Sequence, residues 1–210
     1  GVSGNGQSTL AKVISGLIAP TSGQVNIDSE QVIQFTPANL LKAGVGRIPE
    51  DRHHDGVIGA MSVAENLAIE SLDSNEIQKN GFLRRQQLTL NAQRLSQKYD
   101  IRGPGTEAPA RLLSGGNIQK LILARVFEAS PKLILANQPT RGLDMGAVSE
   151  VGKRLLQARK RGAGILLISE DLDELLALAD RIIVMHDGAL HPAPSHDRAQ
   201  IGLIMAGEIS

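Results

Sequence analysis

The sequence lacks cysteine and tryptophan altogether, and aromatic residues make up only 2% of its 210 positions. Without cysteine the chain can form no disulfide bond, no thiolate nucleophile and no thiolate metal ligand. The absence fits a reducing compartment, where disulfides are rare. With so few aromatic rings, the hydrophobic core has to be built from the aliphatic side chains within the 41% of residues that are hydrophobic.

The sequence also has no excess of either charge, because 22 basic residues balance 22 acidic residues. A strongly basic chain would favour nucleic acid as a partner, and this balance gives no such indication. No stretch approaches the roughly 18 consecutive apolar residues of a membrane-spanning helix. Any role at a membrane therefore depends on a partner protein. Length and composition are typical of a single α/β domain, predicted to cover residues 1–210.

Short apolar runs predict a buried parallel sheet, whose strands read as continuous rather than alternating apolar segments. The segments that fit are residues 45–48, 133–136, 165–168 and 182–185. Apolar residues at helical spacing follow two of these runs, around residues 148–155 and 172–176. Strands that alternate with helices predict a doubly wound, mostly parallel sheet.

The middle third of the chain, about residues 62–128, shows helical patterns and no convincing strand. It is predicted to form an inserted α-helical subdomain with helices over residues 62–69, over residues 82–99 and from near Ser114 onward. Glycine and proline concentrate in residues 101–111, which are predicted to form a loop.

The first nine residues match the phosphate-loop pattern G-x-x-x-x-G-K-[ST], except that Gln7 replaces the lysine. Backbone N–H groups of such a loop converge on phosphate oxygens, and the helix predicted to begin near Ser8 adds its N-terminal dipole. Ser8 can ligate Mg²⁺ weakly, whereas Gln7 cannot neutralise the phosphates as phosphoryl transfer requires. The predicted nucleotide-binding residues are Gly1, Ser3, Gly4, Asn5, Gly6, Gln7, Ser8 and Thr9.

Taken alone, this lysine-free loop is equally compatible with an ordinary turn between a strand and a helix. A phosphate loop normally follows a strand, and the motif here begins at Gly1. The pattern therefore predicts that the chain is a fragment and that at least one strand before Gly1 is missing.

Two further motifs identify a family. The segment Leu113-Ser114-Gly115-Gly116-Asn117 precedes an apolar helix, and Pro139-Thr140-Arg141-Gly142-Leu143-Asp144 follows an apolar strand. The first resembles the signature motif of ATP-binding cassette proteins, and the second resembles the segment that ends in their D-loop. Together with the phosphate loop, these motifs occur in the order and spacing of that family, so the resemblance covers essentially the whole chain.

The resemblance implies a phosphate-loop NTPase fold that binds ATP with Mg²⁺ and pairs head to tail with a second cassette, either upstream in the same polypeptide or on another chain. In such a pair each ATP lies between the phosphate loop of one cassette and the signature of the other. Residues Ser114, Gly115, Gly116 and Asn117 would then complete the site of the partner, together with Asp144.

Other segments resemble the second cassette of double-cassette importers for sugars or nucleosides. They are residues 49–52 with Gly56, and residues 62–67. Residues 136–144 and 169–175 are more similar to the nucleoside branch, which is linked to basic membrane lipoprotein receptors. The resemblance implies transmembrane permease partners, an indirect substrate-binding lipoprotein partner and a peripheral place on the cytoplasmic face of a bacterial plasma membrane.

The chain departs from the family at its catalytic positions. Asn137 stands where an aspartate usually positions Mg²⁺, and Gln138 stands where a glutamate usually activates water. Glu50 replaces the usual glutamine, and Glu170 replaces the usual switch histidine. An amide is too weak a base to deprotonate water, and losing a general base costs about 10²- to 10⁴-fold in rate. The chain's own site is therefore predicted to be degenerate and the isolated domain hydrolysis-deficient.

Other functions stay open. A soluble cassette protein would usually carry two hydrolytic sites and basic linkers, and a metabolic kinase would need the lysine and an acidic metal ligand. A pseudo-ATPase that binds no nucleotide is compatible with the sequence, although the retained glycines and Ser8 favour residual binding.

Overall fold

A computed structural model describes residues 2, 4–72, 74, 77–79 and 82–208. In chain order the helices are α1 (Gln7–Ile14), α2 (Pro37–Lys42), α3 (Val63–Ala68), α4 (Arg85–Lys98), α5 (Gly115–Glu128), α6 (Met145–Lys160), α7 (Leu172–Leu178) and α8 (Arg198–Met205), with a 3₁₀ turn at Ala110–Leu112. The strands are β1 (Asn26–Ile27), β2 (Glu30–Gln31), β3 (Val45–Ile48), β4 (Gln78–Lys79), β5 (Phe82–Leu83), β6 (Leu133–Asn137), β7 (Gly164–Ile168), β8 (Ile183–His186) and β9 (Ala189–Pro192). None of the helices in these described ranges is long and apolar enough to cross a membrane.

A parallel sheet with the order β3-β6-β7 forms the centre of the fold. Its middle strand β6 is the most buried, because Ile134, Leu135 and Ala136 are at most 1% exposed. The apolar runs at residues 45–48, 133–136 and 165–168 are therefore strands, as the sequence predicted. They alternate with helices, which confirms the predicted α/β class.

The fourth apolar run behaves differently from the prediction. It forms β8 one residue later than expected, and β8 pairs antiparallel with β9 instead of joining the parallel sheet. A cavity of about 440 Å³ lies between β7 and β8 and is closed at one end by Gln7 and Leu10 of α1. Among the described residues no strand joins β7 to β8, so the two lie in separate sheets.

The expectation of a strand-free middle third is wrong in detail. Strands β4 and β5 form a short antiparallel pair in which Lys79 faces Phe82. The helix predicted from residue 82 begins instead at Arg85, because Phe82 is 79% exposed and lies outside the apolar face that α4 buries through Ala92 and Leu95. Helix α3 packs against both α4 and α5 in this part of the chain.

Helix α5 carries the largest share of the core. Ile118, Leu121, Ile122 and Val126 are completely buried, and they form the apolar face that the sequence pattern indicates. The buried cluster around them extends to α3, α4, β6 and α6. Any residue at the start of α5 is therefore held on a rigid support.

The loop from β3 to α3 is fixed at both ends. At Gly56 a side chain would lie 2.5 Å from the backbone carbonyl oxygen of Arg52 and 2.4 Å from the Ile122 Cδ1 atom, so the backbone here favours glycine. Ser62 and Glu65 form a capping box at the start of α3. The side chain of Asn66 is fully buried and accepts a hydrogen bond from the backbone N–H of Ile58 at 2.8 Å. The loop therefore presents its side chains in defined positions.

Candidate functional site

The phosphate-loop residues form a turn that leads directly into α1. Gly6 is the N-cap of α1 and adopts a φ of 108°, which favours glycine. Asn5 holds the loop in place, because its Nδ2 donates to the carbonyl of Val2 at 2.9 Å and its Oδ1 accepts from the backbone N–H of Asp187 at 2.8 Å. The predicted binding residues Gly1 and Ser3 lie outside the described residues, whereas the others lie within this turn and the first turn of α1.

Gln7 uses its amide inside the loop. Its Nε2 donates to the carbonyl of Val2 at 3.0 Å, the same oxygen that Asn5 binds. A neutral amide can thus support the loop backbone, but it adds no positive charge for a phosphate group. In this structure the Gln7 side chain stabilises the conformation of the loop.

A cavity of about 680 Å³ opens beside the start of α1. It brings together several residues that the sequence singled out, since Ser8, Glu50 and Asn137 all contribute to its wall. Gln138 and Glu170 meet next to it, where the backbone N–H of Glu170 donates to Gln138 Oε1 at 3.4 Å. The predicted degenerate positions are therefore neighbours in space as well as in function.

The carboxylates that line this cavity all have partners already. Glu50 Oε1 lies 2.7 Å from Nη1 of Arg141. Asp51 Oδ1 accepts two backbone N–H bonds at 2.9 Å from the residues that follow it, and the bond from His54 holds the pKa of Asp51 below its usual range. Asp55 Oδ1 lies 2.7 Å from Nδ1 of His54. Each of these three carboxylates therefore has one oxygen engaged by a nitrogen of a neighbouring group.

These donors do not fit the Mg²⁺ that the resemblance implies. Protein-bound Mg²⁺ prefers carboxylate oxygens at near-ideal octahedral positions. Apart from the second oxygens of Glu50, Asp51 and Asp55, the side-chain oxygens in this wall are neutral, among them the Ser8 hydroxyl and the Asn137 amide. Within the described residues no group of at least three histidine, cysteine or acidic side chains could hold a metal ion. The described part of this cavity wall thus offers Mg²⁺ no cluster of free acidic side chains.

The predicted signature residues lie at the N-terminus of α5. Ser114 is the N-cap, yet its Oγ accepts a bond from Asn117 Nδ2 at 2.9 Å instead of capping the backbone. Within the described ranges no side chain caps the first N–H groups of α5. A side chain at Gly116 would meet open space. The helix thus presents exposed N–H donors and its positive dipole end, which suits an anion.

Contacts that sequence patterns did not predict connect the signature to the rest of the site. Arg52 Nε lies 3.4 Å from the position that a Cβ at Gly115 would take, and its Nη2 lies 3.3 Å from the corresponding position at Gly142. Gln119 is buried in α5 and donates to the carbonyl of Pro139 at 2.7 Å. The signal for Gln119 was its place within an apolar helix face, where a polar residue needs a partner.

Arg125 connects α5 to the loop before α3. It is only 9% exposed, and its Nη2 donates to the carbonyl of Gly56 at 2.9 Å. Its Nε lies 2.9 Å from Glu70 Oε1. Burial lowers the pKa of Arg125 from its ordinary value, and the nearby Glu70 carboxylate opposes that shift. The buried charge therefore depends on its partner.

Asp144 lies at the N-terminus of α6. Its Oδ1 accepts from the backbone N–H of Ala147 at 2.9 Å, so the side chain caps its own helix. The next residue, Met145, is 85% exposed. Asp144, the predicted D-loop residue, and Met145 thus lie at the surface.

Comparisons with known proteins show which family the chain resembles. The family profile described as ABC transporter matches residues 1–141. The nucleoside import ATP-binding protein NupA of Lactococcus lactis is 40% identical over 99% of this chain, and the guanosine import ATP-binding protein NupO of Bacillus subtilis is 37% identical over 99%. The glucose import ATP-binding protein TsgD13 of Haloferax volcanii is 41% identical over 99%. The chain spans 42%, 41% and 38% of the lengths of these relatives, respectively.

Solved structures show the same fold. A post-hydrolysis dimer of the ATP-binding cassette MJ0796 with ADP and Pi superposes with a TM-score of 0.73 at 22% identity, over 90% of this chain and 80% of that one. The ADP conformation of the cassette MJ1267 gives a TM-score of 0.67 at 22% identity, over 97% of this chain and 81% of the other.

Proposed function

Because the chain belongs to the ABC transporter family, we propose that it is an ATP-binding domain of an importer for nucleosides or sugars. Three relatives whose names state import of nucleosides, guanosine or glucose support this range of substrates. The resemblance of residues 136–144 and 169–175 to the nucleoside branch favours nucleosides. The domain corresponds to a second cassette, whose partner cassette lies upstream in the same chain or on a separate one.

One observation carries the proposed division of labour. The signature helix α5 presents uncapped backbone donors next to Ser114, whereas the domain's own catalytic positions hold the amides of Asn137 and Gln138. The signature would complete the hydrolytic site of the partner. The domain's own site would bind nucleotide without turning it over.

The signature can act on a γ-phosphate through donors that already point outward. Backbone N–H groups at the start of α5 and the Ser114 hydroxyl would donate to the phosphate oxygens, where negative charge develops during transfer. Asn117 holds the Ser114 hydroxyl at 2.9 Å and is itself fixed by the backbone N–H of Arg102 at 2.7 Å. Asp144, exposed at the start of α6, would contact the partner beside this site.

The domain's own site lacks a group that can activate water. Gln138 offers only an amide, and the exposed Glu170 carboxylate beside it would be repelled by the γ-phosphate. Gln7 adds no charge at the phosphates. The site would therefore serve to hold nucleotide and to stabilise the pair of cassettes.

A groove next to this site would receive the permease. It has a volume of about 360 Å³ and combines exposed apolar side chains with charged ones, among them Leu17, Ile58, Arg47 and Asp55. Arg125 and Gly56 lie in the same wall, so a force on the groove would reach α5 directly. This arrangement would place the domain at the cytoplasmic face of the membrane, with the receptor lipoprotein as an indirect partner.

The isolated chain is expected to show no ATP hydrolysis above the buffer rate, because its own site lacks a general base and contains no partner signature. Phosphate release from purified chain measures this. Any trace of hydrolysis would come from a contaminating ATPase, so it is expected to be the same in the Ser8→Ala variant. Robust turnover that disappears with Ser8→Ala would contradict the degenerate site.

A further inference from the structure

Compared with the family pattern, the degenerate site lacks both a positively charged side chain and two negatively charged ones. Gln7 replaces the cation of the phosphate loop, while Asn137 and Gln138 replace two anions. Loss of the lysine alone would leave uncompensated negative charge beside the phosphates, and loss of the acids alone would leave no place for a divalent ion. Joint replacement by amides instead gives a neutral pocket floor that needs no metal to balance it.

The remaining carboxylates are held by other groups. Arg141 pairs with Glu50 at 2.7 Å, and Asp51 accepts two backbone N–H bonds at 2.9 Å. A Mg²⁺ ion that bound Glu50 or Asp51 would have to share the carboxylate with these partners, and Mg²⁺ also gives up its water reluctantly. The structure thus disfavours a divalent ion while it leaves the cavity open.

Cations remain in the cavity wall. Lys12, Arg47, Arg52 and Arg141 line it, against Glu50, Asp51 and Asp55. No ion pair joins Lys12 or Arg52 to another described residue. Arg52 also lies beside Gly142, at the edge where the cavity approaches the signature helix. A guanidinium group binds phosphate oxygens with two parallel hydrogen bonds, which makes it a fixed substitute for a mobile counter-ion.

We propose that this site takes its nucleotide as the metal-free polyphosphate anion, with Arg52 and Lys12 supplying the positive charge that Mg²⁺ supplies in a hydrolytic site. The inference rests on the proposed function, since it presumes that the site binds nucleotide. Metal-free binding explains how a site without a metal-positioning acid can stay filled. It also gives that site no chemistry, because the nucleotide lacks its activating ion.

A fluorescence experiment on the full-length protein, purified without its permease, tests the proposal. Leu17 lines the cavity and is 52% exposed, and the printed sequence contains no tryptophan, so Leu17→Trp introduces a donor at this site. Energy transfer from it to N-methylanthraniloyl-ATP, relative to protein without the substitution, reports binding here. The affinity is expected to agree within about twofold between MgCl₂ and EDTA.

Variants in the Leu17→Trp background identify the groups that act. Arg52→Gln is expected to weaken binding in EDTA by about tenfold, the loss of one charge-assisted phosphate contact. Arg85→Gln, at an exposed position on α4, is the matched control and should change nothing. Gln7→Lys combined with Asn137→Asp restores both signs of charge and is expected to make binding depend on Mg²⁺.

The experiment distinguishes failure of metal-free binding from failure of nucleotide binding as a whole. Energy transfer that appears only with MgCl₂ overturns the metal-free site and leaves nucleotide binding intact. Energy transfer in neither condition removes nucleotide binding itself, and with it both the inference and the holding role proposed above.

Discussion

Ser114→Arg in the assembled transporter is expected to lower ATP hydrolysis at least about 100-fold, the usual effect of losing a donor that faces developing charge. Ser114 is exposed at the N-cap of α5, next to Gly115 and Gly116. An arginine there would cover the free N–H groups and fill the space that a γ-phosphate of the partner's nucleotide needs. Steady-state phosphate release in membranes measures the effect.

Two matched variants make the result specific. Ser22→Arg places the same side chain at an exposed residue of another loop and should leave hydrolysis unchanged. Gln7→Ala alters the domain's own phosphate loop and should cost far less than Ser114→Arg. Equal collapse in Gln7→Ala would show that the degenerate loop does essential work, and the asymmetric account would fail.

Arg125→Met is expected to destabilise the chain by about 3–5 kcal/mol, the cost of leaving a half-buried carboxylate without its partner. The substitution removes the donor to the Gly56 carbonyl at 2.9 Å and leaves Glu70 Oε1 facing an apolar side chain. For a chain of this length, such a loss corresponds to a fall in Tm of about 10 °C. Thermal unfolding followed by circular dichroism measures it.

The paired substitution separates charge from packing. Arg125→Met with Glu70→Met replaces both partners by apolar side chains and is expected to recover a large part of the lost stability. Arg94→Met breaks the exposed Arg94–Glu128 contact at 3.3 Å and should cost less than about 1 kcal/mol. A double variant as unstable as Arg125→Met would mean that packing of the guanidinium, and not the buried charge, supports the loop.

Continuous apolar runs made most of the sheet predictable. Val45, Ile48 and residues 134–136 are buried, and their apolar composition indicated parallel strands. The strands β4 and β5 could not be predicted, because each has two residues and Phe82 is almost fully exposed. The antiparallel pairing of β8 with β9 could not be predicted either, because an apolar run does not indicate which strand it will pair with.

In the candidate site, too, some residues could be predicted from the sequence and others could not. Motifs located Ser8, Ser114 and Asn137, because each occupies a fixed place in a short pattern. The Glu50–Arg141 ion pair joins residues far apart in the chain, and no local pattern reports such a contact. Only the fold revealed that Arg141 pairs with Glu50 and that Arg52 lies beside both Gly115 and Gly142.

The most direct test of the asymmetric account counts phosphate against nucleotide in one turnover of the full-length protein with its permease. Nucleotide bound at both sites is quantified with radiolabelled ATP, and the phosphate burst is followed by rapid quench. The account predicts one phosphate for every two ATP molecules bound, because the site with Asn137 and Gln138 holds its nucleotide intact. A burst of two phosphates for every two ATP molecules would contradict it.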